Sequence, residues 1–181
     1  MKASVYCGVS LDGFIAREDG RIDWLTGNGE EAEDEGDDYS FSRFFATVDT
    51  LVMGRNTFDI LRTFDEWHYG DTPILVLSRT LKELPRGTRK TVFLDAGTPM
   101  EICSKLEAAG RKHIYVDGGK TVQAFLRAGL IDEITVSVLP VLIGSGIPLF
   151  GPLNKDTRLE LLSSRTFKTG IVQSRYAVIR T

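Results

Sequence analysis

The sequence predicts an α/β protein: a three-layer, mixed and mostly parallel sheet with helices on both faces, closed by a C-terminal antiparallel hairpin. Three observations predict it. Short apolar, β-prone runs, namely Leu51-Val52-Met53, Ile74-Leu75-Val76-Leu77, Val92-Phe93-Leu94 and Ile114-Tyr115-Val116, are separated by segments whose apolar residues recur at helical spacing. Beyond residue 133 that alternation stops, and Ile134, Val136 and Val138 alternate with Thr135 and Ser137. Two long extended segments, 159–167 and 171–179, then flank Lys168-Thr169-Gly170 and read as a hairpin.

Taken in order, residues 3–9 are an apolar strand, and Ser10-Leu11-Asp12-Gly13-Phe14-Ile15-Ala16 is a turn followed by a second extended piece. Residues 18–20 are turn-like, Ile22, Trp24 and Leu25 offer an apolar patch, and 27–38 is an acidic, glycine-bearing loop. Phe41, Phe44, Phe45 and Val48 fall at helical spacing before the strand ending at Met53, which Gly54 breaks. Asn56 or a neighbour then caps a helix carrying Phe58, Leu61 and Phe64. Pro73 introduces the next strand, and Pro99 opens a helix with Ile102, Leu106 and Ala109. After Val116, Gly118-Gly119 feeds a helix holding Val122, Phe125, Leu126 and Leu130. With 181 residues, 42% hydrophobic, the chain can bury one sizeable core, so one domain over 1–181 is expected.

Several function classes are excluded. No run approaches the roughly 18 apolar residues of a membrane span, and the start reads as a strand rather than a signal peptide, so a cytoplasmic protein without membrane contact is expected. Cys7 and Cys103 are too few for a disulfide framework, and with His68 and His113 as the only histidines no metal site is expected. The net charge of −3 hides a split: seven acids between Glu30 and Asp38 carry no basic residue among them, and without them the chain stands at +4. That suits a small anionic ligand, but no basic stripe argues for nucleic acid. Gly27-Asn28-Gly29-Glu30-Glu31-Ala32 spells a dinucleotide loop yet follows no strand and meets an acidic helix start. Gly119-Lys120-Thr121 resembles the end of a P-loop, whose first glycine is replaced by Ile114.

Three strand ends do converge. Gly54-Arg55-Asn56-Thr57, Leu77-Ser78-Arg79-Thr80 and Asp117-Gly118-Gly119-Lys120-Thr121 follow three of the apolar runs, and in a parallel sheet such ends share one rim. Ligands bind outside the carboxyl ends of strands, and these residue types hold phosphates. Gly118 and Gly119 leave backbone N–H groups bare at a helix start, where the dipole favours an anion. The same turn without a ligand remains an alternative.

These three segments, in this order and spacing, resemble the cofactor loops of the dihydrofolate reductase superfamily. Within it the chain most resembles the riboflavin-biosynthesis pyrimidine reductase (RibD C-terminal) branch: residues 10–16 match its first motif, and residues 139–150, Leu139-Pro140 through Leu149-Phe150, its late one. The resemblance spans nearly the whole chain. It implies an NADPH-dependent reductase of a pteridine or pyrimidine-type heterocycle, similar to dihydrofolate reductase or to 5-amino-6-(5-phosphoribosylamino)uracil reductase. It places Gly54, Arg55, Asn56 and Thr57 at the cofactor phosphates, Leu77, Ser78 and Arg79 at the 2′-phosphate end, and Gly118, Gly119, Lys120 and Thr121 at the pyrophosphate and nicotinamide. It also implies a cis peptide beside Gly118 and a homodimer paired through the C-terminal strands, with 134–142 and 171–179 as the segments left to cover.

The chain departs from that branch after the first of these helices, where Leu61-Arg62-Thr63-Phe64 stands in place of a D-D-P type segment near the substrate ribose phosphate; the branch's usual zinc-bearing deaminase partner domain is not expected here. Three acids are candidates for the proton donor. Asp117 precedes the glycine pair and is either that acid or a cap of the next helix; Asp38 lies near the offset of the dihydrofolate reductase carboxylate, and Asp12 is also a natural turn-former. A non-catalytic nucleotide- or heterocycle-binding module of the same fold, or a nucleotide-regulated interaction protein, are the alternatives to a reductase.

Overall fold

A computed structural model describes residues 1–25, 39–64 and 66–180. In chain order the elements are β1 (Lys2–Ser10), β2 (Phe14–Ala16), α1 (Phe41–Phe45), β3 (Thr50–Gly54), α2 (Arg55–Leu61), β4 (Ile74–Leu77), β5 (Val92–Asp95), α3 (Pro99–Ala108), β6 (His113–Asp117), α4 (Gly119–Arg127), β7 (Glu133–Leu139), β8 (Ile147–Pro148), β9 (Arg158–Thr166) and β10 (Val172–Ile179). Eight strands form one sheet in the order β5-β4-β3-β6-β1-β7-β10-β9. Pairing is parallel from β5 to β7 and antiparallel from β7 through β10 to β9, so the sheet is mixed and mostly parallel.

The continuous apolar runs are explained by burial on both faces. Val52, Ile114 and Val116 point into one core cluster with Ile102 of α3 and Val122, Phe125 and Leu126 of α4. Their strand neighbours Leu51, Met53 and Tyr115 point the other way, into a cluster with Phe58 and Leu61 of α2 and the aromatic rings of α1. Alternate residues of one strand thus serve opposite layers, which leaves no polar face to read. At roughly 25 cal/mol per Å² of apolar surface, fully burying a side chain such as Phe58, Phe125 or Ile114 contributes about 2–3 kcal/mol. These contacts lock the strand ends that carry the candidate ligand residues.

Local signals set the helix ends. Thr98 accepts from Glu101 N while the Glu101 carboxylate accepts from Thr98 N, a capping box that starts α3 at Pro99. At the other end of α3, Gly110 (φ 77°) turns the chain, with Gly110 N donating to Glu107 O and Arg111 N to Leu106 O. Gly129 (φ 67°) ends α4 in the same way, through bonds to Leu126 O and from Leu130 N to Phe125 O. Leu130 therefore lies beyond the helix rather than in it. Two further expectations are corrected: α2 is capped by Gly54 and not by Asn56, and it ends at Leu61, leaving Phe64 40% exposed.

The extended piece after the first turn, β2, pairs with β8 in a small separate sheet, tying residues 14–16 to the late motif. The C-terminal hairpin forms as expected, but the bare edge differs. β7 and β10, the strands of the segments expected to leave a surface to cover, are both interior, β7 between β1 and β10 and β10 between β7 and β9; the edge on this side of the sheet is β9, exposed along its whole length. Among the described residues, no helix is long and apolar enough to cross a membrane.

Candidate active site

The parallel register pairs Met53 with Asp117, so Gly54 and Gly118 leave the sheet side by side. Each opens a Gly-x-x-Thr turn into a helix, α2 or α4, and the two turns interlock. Thr57 of the first turn packs its hydroxyl where a Cβ on Gly118 would sit, and Thr121 of the second lies where a Cβ on Gly54 would come within 2.9 Å of its Oγ1. Gly118 also holds φ 86° and ψ 137°, a conformation essentially reserved for glycine. The peptide bonds of the described residues are all trans, so the expected cis bond beside Gly118 is not how this turn is made; the positive φ of Gly118 redirects the chain instead.

Topology explains why the interlocked turns border a cavity. From β3 the chain crosses through α2 to β4, on one side; from β6 it crosses through α4 to β7, past β1 on the other side. The diverging connections open a crevice at this switch point. A cleft of about 1070 Å³ lies there, and every residue of the three strand-end segments expected at the cofactor, from Gly54 through Thr57, Leu77 through Arg79 and Gly118 through Thr121, lines it. Ser78 Oγ shapes its own loop by accepting from Leu81 N (3.0 Å) and Thr80 N (3.3 Å). Arg55 donates to Asp59 at 3.2 Å across an exposed turn of α2, a weak tie that a ligand can replace.

Asp117 is the candidate acid that lines this cleft at the junction of the two turns. Burial raises its carboxyl to about 6, against the opposing effect of the Gly118 N–H, which donates to Oδ1 at 2.7 Å. No side chain caps α4, so the capping role does not apply. Around it, burial pushes up the Cys7 thiol and the Tyr69 hydroxyl, and the Asp117 charge adds to both. The Tyr115 hydroxyl is likewise raised by burial and donates to Tyr6 O at 2.8 Å. At neutral pH these neighbours are uncharged, leaving Asp117 as the titrating group on the cleft floor.

The profile of the RibD C-terminal domain family matches residues 4–173. The chain belongs to the RibD C-terminal domain family. It is 35% identical to YwjB of Bacillus subtilis (strain 168), itself uncharacterized, over 92% of each chain. A crystal structure from Shewanella sp. PV-4, named as a candidate riboflavin biosynthesis protein, superposes with a TM-score of 0.91 at 38% identity, covering 99% of this chain and 100% of that one. RibD of Acinetobacter baumannii shares the fold, with a TM-score of 0.69 at 16% identity; the match takes in 98% of this chain and 58% of RibD.

Within this RibD C-terminal fold Asp12 parts company with the cleft. Asp12 accepts from Ser10 Oγ (2.6 Å), Gly144 N (2.8 Å) and Ile143 N (3.3 Å), bonds that hold it below the usual carboxylate range. It clasps the first motif to the late one, outside the cleft lining. Asp38, the acidic run from Glu30 and the Gly27-to-Ala32 spelling lie outside the described residues. Sequence reasoning missed a fourth strand end, where Ala96, Gly97 and Pro99 follow β5 and line the same cleft. The Gly97-Thr98-Pro99 punctuation after an apolar strand was its signal. It also missed the wall made by Tyr6, Cys7 and Gly8 of β1, and Tyr69, which no local pattern marks.

Proposed function

We propose that this RibD C-terminal domain protein is an NADPH-dependent reductase of a pteridine or pyrimidine-type heterocycle. The observation that carries the reading is the interlocked pair of glycine turns at the switch point with the Asp117 carboxyl, raised to about 6 by burial, at their junction. The residues present fit the cofactor: Gly118 and Gly119 bring bare backbone to the cleft, where a Cβ on Gly119 would fall 2.7 Å from Pro148 O. Arg55, Arg79 and Lys120 stand on the same rim to meet phosphates. NADPH, when bound, supplies the hydride. The chain supplies position and proton: the turns of α2 and α4 orient the dinucleotide, and Asp117, poised near 6, delivers a proton to the ring nitrogen as the adjacent carbon is reduced.

The reading extends to assembly. β9 presents Leu159, Leu161 and Leu162 at 42–55% exposure on an unpaired edge, and a homodimer formed there would cover them. The test is direct titration with NADPH followed by a panel of heterocycles, reading NADPH oxidation. Binding in the micromolar range with oxidation under at least one heterocycle is the expected result. Binding without oxidation under any of them transfers the reading to a non-catalytic binding module, and no binding of NADPH overturns it.

A further inference from the structure

We infer that the substrate accepted beside the cofactor is an unphosphorylated, planar heterocycle: a neutral pterin-like ring without a phosphate tail. This rests on the reductase reading for which half of the cleft the cofactor takes. The charges of the lining are segregated. Its three cations, Arg55, Arg79 and Lys120, all belong to the strand ends assigned to NADPH. The remaining wall, from β1, the segment after β2, the end of α2 and the segment that follows it, is apolar and aromatic, with Ile22, Leu25, Ile60, Phe64 and Tyr69, and its charged member among the described residues is Glu18.

Nearby cations lie off the wall. Arg17, paired with Asp23 at 2.8 Å, Arg21, paired with Asp19 at 2.7 Å, and Arg62, whose guanidinium lies 5.9 Å from the centre of the Phe58 ring, do not line the cleft. His68, beside Tyr69, is exposed and does not line the cleft. The residues outside the described structure add none: 26–38, 65 and 181 contain no lysine, arginine or histidine, and 26–38 contain seven acids. A phosphate on the substrate would therefore face Glu18 and Asp117 with no cation to meet it, and its desolvation would go unrepaid. A neutral ring would instead bury its faces against Tyr69, Ile60 and Leu25 and turn an edge nitrogen to Asp117. Such a site discriminates against phosphoribosyl substrates.

The test uses the full chain and a matched pair, 6-hydroxymethylpterin and its monophosphate ester, followed by ring fluorescence with and without saturating NADPH. The alcohol is expected to bind at least tenfold more tightly than the ester at low salt, with the gap narrowing as salt screens the repulsion. Phe64→Arg, at an exposed position of the wall, should bring the ester within roughly threefold of the alcohol by supplying the missing cation. Equal or tighter binding of the ester to the unaltered protein overturns the inference, and so does binding of neither compound. Failure of NADPH to bind sinks the reductase reading instead, and the comparison of alcohol with ester is still read in its absence.

Discussion

The turns after β3 and β6 have the same Gly-x-x-Thr spelling, occupy adjacent register positions and pack on each other, yet they do different work. Gly54 sits at φ −78° and ψ 163°, extended backbone open to any residue, whereas Gly118 sits at φ 86° where a side chain is strained. The residue before the first glycine is buried Met53, and the residue before the second is Asp117. Each turn presents a cation to the rim, Arg55 or Lys120, but only the second adds a carboxyl on the floor with bare backbone beside it. Spelling alone does not assign a role, because the role follows from backbone conformation and from which side chain stands at the register position before the glycine.

The most severe break in this comparison is Gly118→Ala. It combines a glycine-only φ with overlap on Thr57 Oγ1, and we expect a loss of about 4 kcal/mol in unfolding free energy together with loss of NADPH binding. Unfolding by urea measures the first and titration the second; a loss under 1 kcal/mol would show that the turn relaxes freely. Next, Asp117→Asn should lower turnover on an active heterocycle by roughly a hundredfold with NADPH affinity nearly intact.

The pH dependence of the same residue has a definite sign. A carboxyl at about 6 in the folded protein and near 3.8 when unfolded binds more protons folded, so burying its charge removes stability as pH rises from about 4 past 6. The asparagine variant should escape that loss and be more stable than the parent at pH 8 by up to about 3 kcal/mol, and by little near pH 4. kcat/KM of the parent should fall as pH rises through about 6, as the acid form is depleted, and this fall should vanish in the variant. A variant less stable at pH 8 would mean that Asp117 serves the turn and not the proton.

Smaller effects sharpen the contrast. Arg79→Ala should erode preference for NADPH over NADH by roughly ten- to a hundredfold while NADH affinity holds, since a charged donor to a phosphate contributes about 1.5–3 kcal/mol. An equal loss for both dinucleotides would assign Arg79 to another contact. Gly54→Ala, at a permissive φ, should cost only about 1 kcal/mol, because the atom it meets at 2.9 Å is a rotatable threonine hydroxyl. If Gly54→Ala costs as much as Gly118→Ala, the two turns are equivalent and their difference in φ has no energetic consequence.

Much of the cleft was legible because three of its strand ends are announced locally. A β-prone apolar run followed by Gly-Arg, Ser-Arg or Gly-Gly-Lys states both the end of a strand and the chemistry placed there, and all these residues do line one cleft. The distinction among the three acids was not legible. Asp12 and Asp117 both precede glycine, yet one is consumed by Ser10, Ile143 and Gly144 and the other lies on the cleft floor. The segments 134–142 and 171–179 both looked like surfaces to cover; β7 is covered by β1 and β10, and β10 by β7 and β9, whereas the bare edge is β9.

By itself, then, the sequence determined what local chemistry determines: strands from unbroken β-prone runs buried on both faces, helix ends from a capping box and positive-φ glycines, and a rim of phosphate-binding residue types. Only the tertiary structure decided which carboxylate is desolvated, which glycine must be glycine, and where the cations stop along the cleft wall. Those properties depend on neighbours far away in the chain: Thr57 is what fills the space at Gly118, and Tyr69 and Cys7 are what lie beside Asp117. Burial and contact are properties of a position in space, and a residue's sequence neighbours carry no record of them.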